Sequence, residues 1–221
     1  MTVRAKICGI RSEADLRIAL AAGADAVGFI SGITHVSEDA LDAATARRLA
    51  ALVPPFVNRV LVTHLEAEDE IIELADQLGV DTIQVHGLVS AETLRQVKAA
   101  ARGRMILRAV HVAGADAILD AKAAAADCDG VLLDSRTADR LGGTGRTHDW
   151  TVSARIVTEL AALGCPVVLA GGLTAANVGA AISAVKPFGV DVNSGVEDAS
   201  GDKSQQACDS FVAAAHGARH G

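Results

Sequence analysis

A short run rich in Val, Ile and Leu, a turn, and an Ala/Leu-rich stretch of helical periodicity recur at intervals of roughly 20–30 residues along the whole 221-residue chain. This alternation constrains the fold more than any other feature. Parallel strands need crossover connections, and a helix is the usual crossover. The strand pattern falls at Val3–Cys8, Ala26–Ile30, Val57–Thr63, Thr82–His86, Met105–Val110, Gly130–Asp134, Val167–Ala170 and Gly189–Val192. Helix-start signals stand between them at Ser12-Glu13-Ala14-Asp15, Ser90-Ala91-Glu92-Thr93 and Thr174-Ala175-Ala176-Asn177. Gly23, Gly79 and Gly164 each precede a strand at the position where a helix ends with positive φ.

Eight strands alternating with eight helices predict a (β/α)8 TIM barrel, which usually takes about 200–250 residues. The competing open, doubly wound sheet would show G-x-G-x-x-G after its first strand. The chain has Cys8-Gly9-Ile10-Arg11-Ser12 there instead. The expectation is therefore one α/β barrel domain over residues 1–221, with a frayed tail at 214–221. Half the residues are hydrophobic but only 2% are aromatic and none is Tyr, so the core is built mainly from Ala, Val, Leu and Ile.

The net charge of -7 argues against nucleic acid as a partner. It does not argue against a small anion held by backbone N–H groups. No apolar run approaches the roughly 18–20 residues that span a bilayer, and Met1–Cys8 has no signal-peptide core. These features predict a cytoplasmic protein with no membrane partner. Cys8, Cys128, Cys165 and Cys208 form no C-x-x-C pair, so neither a disulfide framework nor a zinc knuckle is expected.

Barrel active sites lie at the C-terminal ends of the strands. The residues there include Cys8, His86, Asp134, Gly171-Gly172 and Asp191 through Gly195. Gly171 and Gly172, with Asn193, Ser194 and Gly195, form the two late turns where barrels commonly place a phosphate. Cys8 reads either as a small buried hydrophobe or as a thiolate whose pKa Lys6 and Arg11 lower. Asp134 either caps a turn or acts as an acid in apolar surroundings. Cys165 reads as packing, and His64 and His111 as solitary rim residues. Asp149 reads as a helix cap, and Leu141–Gly145 as a loop near the substrate.

At this point the motifs become specific. Lys6-Ile7-Cys8-Gly9-Ile10 resembles the opening K-[IV]-C-G-[LIM] of the phosphoribosylanthranilate isomerase family of tryptophan biosynthesis. Gly23–Phe29, Ile83-Gln84-Val85-His86-Gly87, Leu132–Ser135 with Gly142–Gly145 and Asp149-Trp150, Leu169–Leu173 with Asn177-Val178, and Gly189–Glu197 are similar to that family's later motifs, in order. The resemblance implies an Amadori rearrangement of an aminoaldose to an aminoketose without metal or organic cofactor. The base would fall on Cys8 and the acid on Asp134. Lys6, Thr34, His35, His86, Arg108 and Asp191 would face the substrate. The implied partner is a phosphorylated small molecule, and the chain would be a monomer or a homodimer.

The departures lie around the aglycone. The family's S-P-R-x-[VI] is replaced by Ser31-Gly32-Ile33-Thr34-His35-Val36-Ser37, which puts Thr34 where the carboxylate-binding Arg should stand. V-G-V-F becomes Val60-Leu61-Val62-Thr63, the Lys of I-K-A becomes Arg108, and F-D-W becomes His148-Asp149-Trp150. Two alternatives stay open: a related phosphate-binding isomerase or lyase acting on a different sugar phosphate or amine, and a non-catalytic phosphosugar-binding relative. A Schiff-base aldolase would need a strand-end Lys, whereas Lys6 precedes the strand end by two residues.

Overall fold

The computed structural model describes residues 2–34, 37–134 and 149–218. Within them the strands are β1 (Arg4–Ile7), β2 (Ala26–Ser31), β3 (Ala40–Leu41), β4 (Asn58–Thr63), β5 (Thr82–Val85), β6 (Met105–His111), β7 (Gly130–Asp134), β8 (Val167–Leu169) and β9 (Gly189–Val192). All pair in parallel, and β1 bonds to both β2 and β9, which closes the sheet into a (β/α)8 barrel. The extra strand, β3, lies outside the barrel against β2 and is too short to show any alternation in sequence. The eight helices are α1 (Glu13–Ala21), α2 (Ala43–Ala50), α3 (Glu68–Leu78), α4 (Ala91–Ala100), α5 (Ala117–Ala125), α6 (Trp150–Ala161), α7 (Val178–Val185) and α8 (Gln205–Gly217).

The local signals act as the chemistry requires. Ser12, Ser90 and Asp149 cap α1, α4 and α6, each accepting a backbone N–H from the first helical turn. Asn177 Oδ1 instead accepts from the Thr174 N–H, which shapes the turn into α7. Gly23, Gly79 and Gly164 have φ of 83°, 65° and 69°. The tail expectation needs correction: α8 continues to Gly217. Ala215 is fully buried in the main core, and His216 Nε2 lies 2.8 Å from Asp25 Oδ2, so the last turn is anchored on the barrel. Residues 219–221 lie outside the described set.

Strand alternation sorts the core into layers. Ala5 and Ile7 of β1, Val27 and Phe29 of β2, and Val131 and Leu133 of β7 face the helices and pack in the large cluster between barrel and helix ring. The opposite parity points inward. Cys8 packs inside with Val60, Val62, Ala26 and Ile30, and Ala109, Leu132 and Ala170 form a second interior group. These interior side chains are small or branched, as the low aromatic content requires. Among the described residues no helix is long and apolar enough to cross a membrane.

Candidate active site

The site grows from the register of β1 on its neighbours. Lys6 of β1 stands opposite Asp191 of β9, and both side chains point into the barrel. Lys6 Nζ donates to Asp191 Oδ1 at 2.9 Å, and both residues are more than nine-tenths buried. Two residues on, Cys8 carries the same inward parity, and its N–H donates to the Val192 carbonyl at 2.8 Å. Lys6 and Cys8 meet above Gly28 of β2. A Cβ at Gly28 would lie 2.8 Å from Cys8 Sγ and 3.1 Å from Lys6 Nζ. The glycine therefore makes room for the pair.

Burial is the largest influence on the Cys8 thiol and pushes its pKa up. The Lys6 ammonium pulls it back, and Asp191 opposes Lys6, with a net rise. Of the two readings of Cys8, burial agrees with the first, and the lowering expected from Lys6 and Arg11 in the second does not outweigh it. The Arg11 guanidinium is committed elsewhere: it donates to the Gly201 carbonyl and to Asp202, and it lies 3.8 Å from Asp39. For Lys6, burial disfavours the charge, but Asp191 and then Cys8 outweigh it and raise the pKa. The ammonium is therefore a fixed positive charge beside the thiol.

Across the barrel, Asp134 ends β7 and is buried. His86, the first residue after β5, places Nε2 3.6 Å from Asp134 Oδ2. Burial lowers the His86 pKa well below its ordinary value, and the neighbouring His64 and His111 add to the effect. His86 is thus a neutral imidazole near the carboxyl. His64 and His111 are not solitary. Their ring centroids lie 5.0 Å and 5.2 Å from that of His86, because successive strands β4, β5 and β6 each end in a histidine on the same rim. Composition and spacing gave no sign of this row, since the three residues are more than 20 positions apart.

A cavity of about 210 Å³ joins these groups. Cys8, Asp134, His86 and Asp191 line it together with Gly171, Gly172, Asn193, Ser194 and Gly195. Gly171 and Gly172 have φ of 87° and 64°, and a Cβ at Gly195 would fall 1.9 Å from the Leu173 carbonyl oxygen. Only glycine lets these turns approach each other. The Asn193 amide is engaged with the protein: Nδ2 donates to Asp39, and Oδ1 accepts from Lys203 Nζ at 2.7 Å. Lys203 is buried and also bonds Glu197 and the Asn193 carbonyl, so it holds the whole turn. Lys203 carried no sequence signal.

The remaining expected substrate groups lie apart. Thr34 is exposed and outside the lining of this cavity. His35 falls outside the described residues, as do the Gly142–Gly145 segment and His148. Arg108 NH1 donates to the Val85 and Gly87 carbonyls, at 3.0 Å and 2.6 Å, on either side of His86. Cys165 packs in the main core, as expected, with its Sγ 3.9 Å from the Pro166 carbonyl, and the neighbouring Cys128 draws its pKa down.

A parallel barrel whose mouth gathers a buried thiol, a buried carboxyl and the glycine turns after its last two strands on one cavity defines a candidate enzyme site of the (β/α)8 class. The model of "N-(5'phosphoribosyl)anthranilate (PRA) isomerase" matches residues 5–214. The chain belongs to this isomerase family of tryptophan biosynthesis. It is 41% identical to the N-(5'-phosphoribosyl)anthranilate isomerase of Haloferax volcanii over 98% of this chain and 94% of that one. It is 42% identical to that of Methanothrix thermoacetophila over 95% and 96%. The crystal structure of phosphoribosyl anthranilate isomerase from Thermotoga maritima superimposes with a TM-score of 0.84 at 33% identity, covering 97% of this chain and 99% of that one. Another solved isomerase of this name, with a TM-score of 0.81 and 32% identity over 97% and 99%, holds reduced 1-(o-carboxyphenylamino)-1-deoxyribulose 5-phosphate.

Proposed function

We propose that Cys8 and Asp134 drive the Amadori rearrangement of N-(5-phosphoribosyl)anthranilate as general base and general acid. The observation that carries this reading is their placement on one small cavity, together with the two glycine turns. The phosphate sits against backbone N–H groups of the turns at Gly171-Gly172 and Ser194-Gly195, which orients the sugar. Asp134 gives a proton to the ring oxygen as the bond from that oxygen to C1′ breaks, leaving an iminium between C1′ and the amine. The iminium acidifies the C2′ proton, which the Cys8 thiolate removes. The electron pair of that bond moves into the C1′–C2′ bond and neutralises the iminium. The resulting enolamine takes a proton at C1′ as its C2′ hydroxyl loses one to solvent, and becomes the aminoketose. Lys6 serves this sequence by holding positive charge beside the thiolate.

The test is turnover with phosphoribosylanthranilate, followed by the loss of its fluorescence. Cys8→Ala and Asp134→Asn should each lower kcat by at least about two orders of magnitude, with much smaller changes in KM. Wild-type kcat in both variants overturns the mechanism. No turnover by the wild type at high enzyme concentration overturns the substrate.

The opposite end of the barrel supports a homodimer. A second cavity, about 1060 Å³, opens there between the strand starts and the Val53–Val57 loop. Phe56 lies on its edge, fully exposed and held at a φ of 71°. An aromatic side chain in such a backbone is costly unless something covers it. A second copy of this face would do so, and one Thermotoga maritima relative is described as dimeric. Sedimentation should give a dimer, and Phe56→Asp a monomer that keeps the fold. A monomeric wild type overturns this assembly.

A further inference from the structure

His86, His111 and Asp134 offer one ligand atom each, and the three atoms lie within 4.8 Å of one another at the mouth of the barrel. We propose that these residues form a binding site for a divalent transition ion of the zinc class, and that the ion inhibits the enzyme by occupying Asp134. The geometry comes from the sheet. His111 and Asp134 are register partners on β6 and β7, which fixes their side by side placement. His86 approaches from the end of β5, with Nε2 3.6 Å from Asp134 Oδ2. A tetrahedral zinc with bonds of about 2.0–2.2 Å to nitrogen and oxygen spaces its ligand atoms roughly 3.3–3.5 Å apart. The His86–Asp134 distance is close to that spacing, and the His111 ligand atom lies within 4.8 Å of both.

A second observation concerns the far side of His86. The Gln84 amide lies 3.4 Å from His86 Nδ1, while Gln84 Oε1 is buried without a hydrogen-bond partner among the described residues. Exchanging the amide oxygen and nitrogen, which are the same shape, places Oε1 on Nδ1. It then accepts from Nδ1–H, and the Nε2 lone pair faces Asp134. Metal-bound histidines are held in this way, with the second ring nitrogen donating to a carbonyl or carboxylate. Three protein ligands leave a fourth position for water, and His86 and Asp134 both open onto the 210 Å³ cavity. Binding needs no assumption about catalysis. The inhibition rests on the assignment of Asp134 as general acid, because a carboxylate bound to a cation cannot carry the proton that the ring oxygen needs.

The experiment pairs binding with activity, using Zn²⁺ by calorimetry and Co²⁺ by its visible absorption. The wild type should bind one equivalent, with tetrahedral Co²⁺ intensity, and Zn²⁺ should inhibit turnover over the same concentration range. His111→Asn should keep its basal kcat, weaken binding about 10–100-fold and raise the inhibitory Zn²⁺ concentration equally. If His111→Asn does not fold by circular dichroism, His111→Gln takes its place. Undiminished binding in the folded variant overturns the site, as does binding that survives Asp134→Asn but is lost in Cys8→Ser. Binding with the expected losses, but without inhibition of the wild type, keeps the ion site and removes Asp134 from the role of acid.

Discussion

Lys6 Nζ and Asp191 Oδ1, 2.9 Å apart on neighbouring strands, form a buried ion pair beside the Cys8 thiol. The pair acts on this thiol, the proposed base, in two ways. Asp191 keeps the ammonium in place, and the ammonium lowers the cost of forming the thiolate next to it. Burial still wins, so the free thiol titrates above its ordinary range. With the thiolate as the proposed base, kcat/KM should rise with pH through that titration. Lys6→Met removes the largest lowering influence, so the rising limb should move further to alkaline pH by about 1–3 units. A pH profile of kcat/KM for both proteins checks this; an unmoved limb removes Lys6 from the base.

Backbone space decides the two glycine turns proposed to hold the phosphate. Gly195→Ala puts a Cβ into the Leu173 carbonyl, so the last two turns must separate. Gly172→Ala meets a conformational cost instead: its φ of 64° costs an L-residue about 1–2 kcal/mol. KM should rise in both, by on the order of a hundredfold for Gly195→Ala and less for Gly172→Ala, with smaller changes in kcat. The reverse order of severity, measured by steady-state kinetics, removes close approach of the turns as the reason for glycine at 195.

Most of the fold was legible because each local rule pointed the same way. Gly79 before Val80, Ser90 before α4 and the parity of Lys6 and Cys8 each report on a few consecutive residues, and the sequence displays those directly. What it hid depends on the barrel's closure. The Lys6–Asp191 pair joins residues 185 positions apart. The row His64, His86 and His111 needs three strands to end at one height. Lys203 is an ordinary-looking lysine until Asn193 and Glu197 surround it. Cys8 misled in a different manner: sequence neighbours suggested a lowered pKa, but Arg11 turns to Asp202, and the cost of desolvation is invisible in one dimension.

Arg108 should behave as a positioning residue for His86. Its guanidinium joins the carbonyls before and after that histidine, and hydrogen bonds from a charged donor contribute about 1.5–3 kcal/mol. Arg108→Leu should lower unfolding stability by about 2 kcal/mol and raise KM more than it lowers kcat. Arg108→Lys should recover part of the stability but not the forked geometry. Denaturant titration and kinetics on the same samples read both effects. Unchanged stability with a large loss of kcat would instead put Arg108 on the reacting atoms.

The aglycone carboxylate provides the last test. Thr34 stands where the family's pattern has Arg, and among the described residues Arg11 is engaged with Asp202 and Arg108 with backbone carbonyls. Thr34 is exposed, on a segment whose Ile30 and Ser37 line the cavity. A guanidinium there gains a charge-assisted pair with the carboxylate, about 1.5–3 kcal/mol or roughly 10–150-fold in affinity. Thr34→Arg should lower KM for phosphoribosylanthranilate by that order and leave kcat nearly unchanged, because the carboxylate is equally charged in substrate and transition state. A rise in kcat instead of a fall in KM would mean that the arginine alters the reacting geometry. No change in either would place residue 34 away from the aglycone and leave the carboxylate to groups further along the rim.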